Sequence, residues 1–131
     1  MSEHRSRLST ILIDCDADDF ERSLAFWSDA LGREPVHDEG DPRYVSLRGR
    51  VGGDGGPIVL LQRVEPGERG FHLDVETDDV EAEVRRLEGL GARIKRRVSD
   101  HVVMTAPSRH VFCVVPMHRP DFPAKTARWE D

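Results

Sequence analysis

Residues 13–21 and 73–81 carry one pattern twice. Ile13-Asp14-Cys15-Asp16-Ala17-Asp18-Asp19-Phe20-Glu21 aligns with Leu73-Asp74-Val75-Glu76-Thr77-Asp78-Asp79-Val80-Glu81 at a constant offset of 60. In a chain of 131 residues, a repeat of that period means two copies of one supersecondary unit sharing a single domain's worth of chain.

Each copy opens on period-two alternation, the mark of a half-buried strand. Ile11, Ile13 and Cys15 alternate with Leu12, Asp14 and Asp16, and Phe71, Leu73 and Val75 alternate with His72, Asp74 and Glu76. A helix follows in each, with Asp18 and Asp78 expected as N-caps and Glu21 and Glu81 completing capping boxes. Phe20, Leu24, Trp27 and Leu31 form one apolar helical stripe, and Val80, Val84 and Leu87 the other. Gly32 and Gly91 supply left-handed C-caps. Three strand candidates follow each helix: Pro35–His37, Tyr44–Leu47 and Ile58–Arg63, then Arg93–Val98, Val102–Thr105 and Val111–Val115. The glycine-rich stretch Gly49–Pro57 is expected to be a mobile hairpin tip. It has no following Lys-Ser/Thr and opens no helix, so it does not match a phosphate loop. The predicted fold class is α+β, as two tandem βαβββ modules.

With 25 acids against 19 bases the chain carries a formal charge of −6, which argues against a nucleic-acid or anionic-membrane partner. No apolar run approaches membrane-spanning length, and no secretion signal is evident. Two cysteines are too few for a disulfide scaffold, so a reduced, cytoplasmic setting is expected. Asp14-x-Asp16-x-Asp18 begins like a calcium loop, but the glycine and late glutamate of that motif are missing. Neither a zinc-protease nor a serine-hydrolase motif occurs. Cys15, in phase with Ile11 and Ile13, reads as a core residue.

The segments DDFERSLAFWSDALGREP (18–35), FHLDVETDDVEAEVRRLEGLGA (71–92) and FCVVP (112–116) resemble the vicinal oxygen chelate superfamily. That group contains glyoxalase I, bleomycin-resistance proteins and extradiol dioxygenases. The chain looks most like short glyoxalase-like domain proteins common in actinobacteria. The resemblance implies the glyoxalase/bleomycin-resistance/dioxygenase fold, with curled mixed sheets around a cup. It further implies one domain over 1–116 (module one 8–64, module two 70–116) and a C-terminal extended tail over 117–131.

In that family, metal ligands come from the first and last strand of each module. His72 matches a ligand histidine, and alternation turns it into the cup with Asp74 and Glu76. The repeat places Leu12, which has no donor atom, opposite it, with Asp14 or Thr10 reachable by a strand slip. The glutamate expected before the last strand is replaced by Val111, with His110 on the other face, and the matching strand of the first module offers Gln62. That donor set falls short of the three or four ligands a tightly held transition ion needs. No cofactor is therefore expected, and a divalent metal is the alternative should further donors complete the site. The reading names His72 as the catalytic candidate and Leu12, Asp14, Leu60, Gln62, Asp74, Val111 and Cys113 as the substrate-binding set. Such a mostly apolar wall with a few polar groups suits a small-molecule ligand. The expected function is a glyoxalase-like small-molecule-binding protein with a degenerate metal site, forming a homodimer. Two alternatives are a metal-independent lyase or isomerase with His72 as general acid/base, and a metal-dependent lyase or dioxygenase of the same superfamily.

Overall fold

A computed structural model describes residues 2–49, 57–118, 122 and 126–131. The hairpin tip expected between Gly49 and Pro57 lies outside the described residues. The elements run β1 (Glu3–Asp16), a 3₁₀ turn (Ala17–Asp19), α1 (Phe20–Leu31), β2 (Arg33–His37), β3 (Tyr44–Gly49) and β4 (Ile58–Val64). The second series is β5 (Gly70–Thr77), α2 (Val80–Gly89), β6 (Arg93–Val98), β7 (His101–Thr105) and β8 (Val111–Pro116), followed by β9 (Ala127–Glu130). The βαβββ order thus occurs twice, in a mixed α+β architecture. The chain divides into two compact units, Thr10–His72 and Met1–Ser9 with Leu73–Asp131. The divisions fall inside β1 and inside β5.

In the unit Thr10–His72 the strand order is β2-β3-β4-β1. β1 and β4 are parallel, with Leu12 opposite Leu60, Ile13 opposite Leu61 and Asp14 opposite Gln62. Alternation then sorts the residues by face. Ile13, Cys15, Val45, Leu47 and Leu61 are buried with Phe20 and Leu24 of α1 in one core cluster, and Trp27 and Val59 pack against it. The intervening residues Leu12, Asp14, Leu60 and Gln62 therefore stand on the face away from α1. The helix ends as its sequence indicates: Gly32 takes φ 63°, a left-handed conformation that carries no Cβ penalty at glycine. Its start differs from expectation. Asp18 lies in the 3₁₀ turn, and the N-cap position belongs to Asp19, whose side chain makes no capping bond. Leu31, read as part of the apolar stripe, is 44% exposed.

In the other unit the order from β5 is β5-β8-β7-β6. β5 and β8 are parallel, with Asp74 opposite Cys113. Val84, Ala92, Val102, Met104 and Val114 make its core, with Val80, Leu87 and Phe112 against it. The N-cap of α2 is Asp79, which accepts from the Ala82 amide at 3.0 Å. Asp78, the expected cap, instead accepts from the Arg5 amide at 2.7 Å. Gly91, at φ 106°, lets the chain pass Pro107, whose Cγ would stand 3.0 Å from an added Cβ. The segment 117–131, read as an extended tail, holds β9, which pairs antiparallel with β1 over Glu3–Ser6. It also holds Phe122, 2% exposed. This pairing is why the first residues of β1 group with the second series of elements rather than the first.

Candidate functional site

Within Thr10–His72, β1 and the first residues of β5 bring together His72, the family match, and Asp14, the residue that a strand slip from Leu12 reaches. His72 Nδ1 lies 2.7 Å from Asp14 Oδ2. Their side chains are 20% and 13% exposed. Next to the carboxylate, Nδ1 carries the proton and donates this hydrogen bond, so that in the neutral ring Nε2 is the acceptor nitrogen. Asp14 Oδ1 is buried and has no hydrogen-bond partner among the described residues. Beside the pair, Gln62 donates from Nε2 to the Tyr44 hydroxyl at 3.2 Å. Leu12, 4% exposed, and half-buried Leu60 continue the same face as apolar wall. The arrangement is a carboxylate-oriented imidazole next to a carboxamide and apolar surface, which suits general acid–base chemistry on an organic ligand.

The remaining candidates, Asp74, Val111 and Cys113, belong to the other unit. Asp74 and Cys113 face each other in register on β5 and β8. Val111, two residues before Cys113, shares its face by alternation and pairs with Thr105 on β7. Cys113 is half-buried and takes part in no disulfide. His110 is exposed and hydrogen-bonded to the Ser108 hydroxyl at 2.9 Å.

The Thr10–His72 donors do not by themselves make up the ligand set of a tightly bound divalent ion. The imidazole and the carboxylate are bonded to one another, the carboxamide is turned to Tyr44, and Leu12 and Leu60 hold the neighbouring register positions. Structural and catalytic sites of such ions use three or four converging ligands. A carboxylate bonded to an imidazole is the usual outer partner of a ligand, not a further ligand.

Two polar clusters were not visible from sequence. His4, 1% exposed, sits between two carboxylates: Nε2 is 2.8 Å from Glu83 Oε1 and Nδ1 is 2.5 Å from Asp131 Oδ1. Glu83, on the charged helix α2, is fully buried and receives both Nε and Nη2 of Arg86. Burial pushes the His4 imidazole down, but the hydrogen bonds to Glu83 and Asp131 outweigh it and the net shift is upward from 6.5. Burial pushes Glu83 up, but its bonds to Arg86, His4 and Ser6 hold it below the ordinary 4.5. Trp129 donates to the Ser6 hydroxyl at 2.9 Å, and the Arg86 guanidinium lies 3.8 Å above its ring. In the second cluster, buried Glu76 pairs with Arg7 and accepts from the His118 amide at 3.0 Å. Glu83 lies two residues after Glu81 in a run of charged helix residues, and nothing local marks it as buried. Cys15 is in the core, and burial raises its thiol above the ordinary value of 9.0, which disfavours the thiolate.

Residues 10–115 match a family described as a Glyoxalase-like domain. No curated protein matches the chain. Among solved structures, a Streptomyces coelicolor methylmalonyl-CoA epimerase variant in complex with 2-nitronate-propionyl-CoA is 21% identical, with a TM-score of 0.59 over 86% of this chain and 98% of that one. A Mycobacterium tuberculosis methylmalonyl-CoA epimerase is 20% identical, with a TM-score of 0.57 over 90% of this chain and 91% of that one. A Legionella pneumophila chain described as an NAD-dependent benzaldehyde dehydrogenase is 15% identical, with a TM-score of 0.60 over 83% and 98%. At such identities the likeness concerns the fold, which is the glyoxalase/bleomycin-resistance fold, and not the chemistry. No helix among the described residues is long and apolar enough to cross a membrane.

Proposed function

The chain belongs to the glyoxalase-like domain family, and from that premise we propose that it binds a small organic molecule against the face carrying Leu12, Leu60, Gln62 and His72. On that ligand the His72–Asp14 pair moves a proton without a metal, as in a lyase or isomerase. The 2.7 Å bond between His72 Nδ1 and Asp14 Oδ2 carries this reading. A carboxylate partner on Nδ1 supports a role in which Nε2 exchanges the proton, since a merely pocket-lining histidine does not need one. The likeness in fold to methylmalonyl-CoA epimerases makes an acidic C–H beside a carbonyl the first substrate chemistry to try. Asp74, Val111 and Cys113 are proposed as further ligand contacts. The reading also places the protein in the cytoplasm as a homodimer with no nucleic-acid partner. Light scattering after size exclusion tests the dimer.

The test is deuterium exchange. Methylmalonyl-CoA and simpler 2-substituted acyl thioesters are incubated with the protein in D₂O, and label at the acidic carbon is followed by mass spectrometry. Enzyme-dependent exchange that falls at least about a hundredfold in His72→Ala, with binding retained, supports the proposal. Saturable binding without exchange reduces the function to sequestration. Stoichiometric metal in the purified protein, lost together with exchange in His72→Ala, replaces this reading with the metal-dependent one.

A further inference from the structure

We propose a second ligand site on the α1 side of the Thr10–His72 unit, one that accepts a small organic amine with an apolar body. A cavity of about 440 Å³ lies there, bordered by Asp16, Asp19, Ser23, Trp27, Arg69 and Phe71. That volume lies within the usual range for small-molecule sites. Ile13 and Cys15, the residues facing α1, also border it. It therefore opens on the opposite side of β1 from Leu12 and Leu60, with Asp14 at the margin.

One wall is aromatic. The Trp27 and Phe71 rings meet edge to face with centroids 6.4 Å apart, and Phe26 extends the row at 5.1 Å from Trp27. Phe71 stays 67% exposed despite that contact. The other wall is acidic, and its acids are not used by the fold. Asp16 and Asp19 precede the 3₁₀ turn and α1, yet neither side chain makes a capping bond. Asp16 Oδ1 is buried without a hydrogen-bond partner among the described residues. Among the described residues its Oδ2 meets the outer reach of Arg69, at 3.6 Å, and that guanidinium is 77% exposed.

A buried carboxylate oxygen without a donor is costly, and such an atom calls for a missing donor. A protonated amine satisfies it and restores charge balance against two carboxylates opposed by one solvated guanidinium. The amine's apolar body covers Phe71 and Trp27, where a cation is also favoured by the ring quadrupole. An anion would meet both carboxylates, and a neutral alcohol would leave the charge uncompensated.

Three size-matched probes test the site by calorimetry: phenethylamine, 2-phenylethanol and 3-phenylpropionate. Saturable binding of the amine is expected, weakened by about tenfold in Asp16→Asn and toward the alcohol. Phe71→Ala, at an exposed position, also weakens it, and added salt does so through screening. His72→Ala leaves amine binding intact, so this site and the proton-transfer site fail separately. Absence of saturable amine binding to the unmodified protein, alcohol binding as tight as the amine, or preference for the carboxylate overturns the proposal. If Asp16→Asn disturbs folding, the comparison of the three probes on the unmodified protein decides alone.

Discussion

Asp14 and His72 lie 58 residues apart in sequence and 2.7 Å apart in space. Their separate roles are testable with conservative changes. Asp14→Asn keeps the size of the side chain but no longer accepts with full charge from Nδ1, so the imidazole loses its preferred tautomer. Proton exchange at a substrate carbon should drop by at least about tenfold with little change in ligand affinity. Isotope exchange and equilibrium binding measured on one preparation check both halves. His4 sets a different expectation, on stability. Its folded pKa is raised above 6.5, so its contribution is complete below that pH and is lost as pH climbs through the raised value. Glu83, held below 4.5, contributes above that pH and is lost on acidification through its lowered value. The His4–Glu83–Asp131 cluster should stabilise most between these limits. Melting temperatures of the unmodified protein and of His4→Asn, taken across pH, should differ most in that window and converge on the alkaline side. A difference constant with pH contradicts this account. His72 was legible as a candidate because it matches the ligand histidine of the family the chain resembles, alternation giving only its face, and Asp14 because a strand slip from the repeat's Leu12 reaches it. His4 had no such signal, because its neighbours along β1 give no hint of a carboxylate arriving from α2.

The two helices show what capping contributes to an element. Asp79 accepts from the Ala82 amide, whereas Asp19, in the corresponding position, makes no side-chain cap. Asp79→Ala should therefore cost about 0.5–2 kcal/mol and Asp19→Ala much less. Urea titration of the two variants measures the contrast, and equal losses count against it. The sequence pattern put both caps one residue early, since consecutive aspartates leave the choice to the surroundings. In α2 the surroundings choose: Asp78 is drawn to the Arg5 amide, and Asp79 is left to cap. Strand boundaries were more legible. Arg93–Val98 was read to the residue, and β2, β3, β4, β7 and β8 were each read within a few residues. β1 is longer than read because Glu3–Ser6 has charged neighbours in place of alternation and becomes a strand by pairing with β9.

At the scale of the whole chain, residues 117–131 supply the clearest prediction. Their deletion removes β9, the Trp129 bond to Ser6, the Asp131 side of the His4 cluster and buried Phe122. Burying a phenylalanine side chain alone is worth about 1.5–3 kcal/mol. The shortened chain should melt several degrees lower, and unchanged melting would mean that β9 is ornamental. Charge, length and the repeat had already set the class of molecule: an acidic chain of two βαβββ copies. Those properties are written in spacings of two, three and four residues, and local backbone geometry reads them directly. The sequence carries no comparable record of which distant groups meet. Asp131 against His4, Trp129 against Arg86 and a cavity beside unused Asp16 depend on strands that pair across more than forty residues. Only long-range pairing within the folded chain brings those groups into contact, because the attraction between them acts over a few ångströms while the chain between them is free to take many paths.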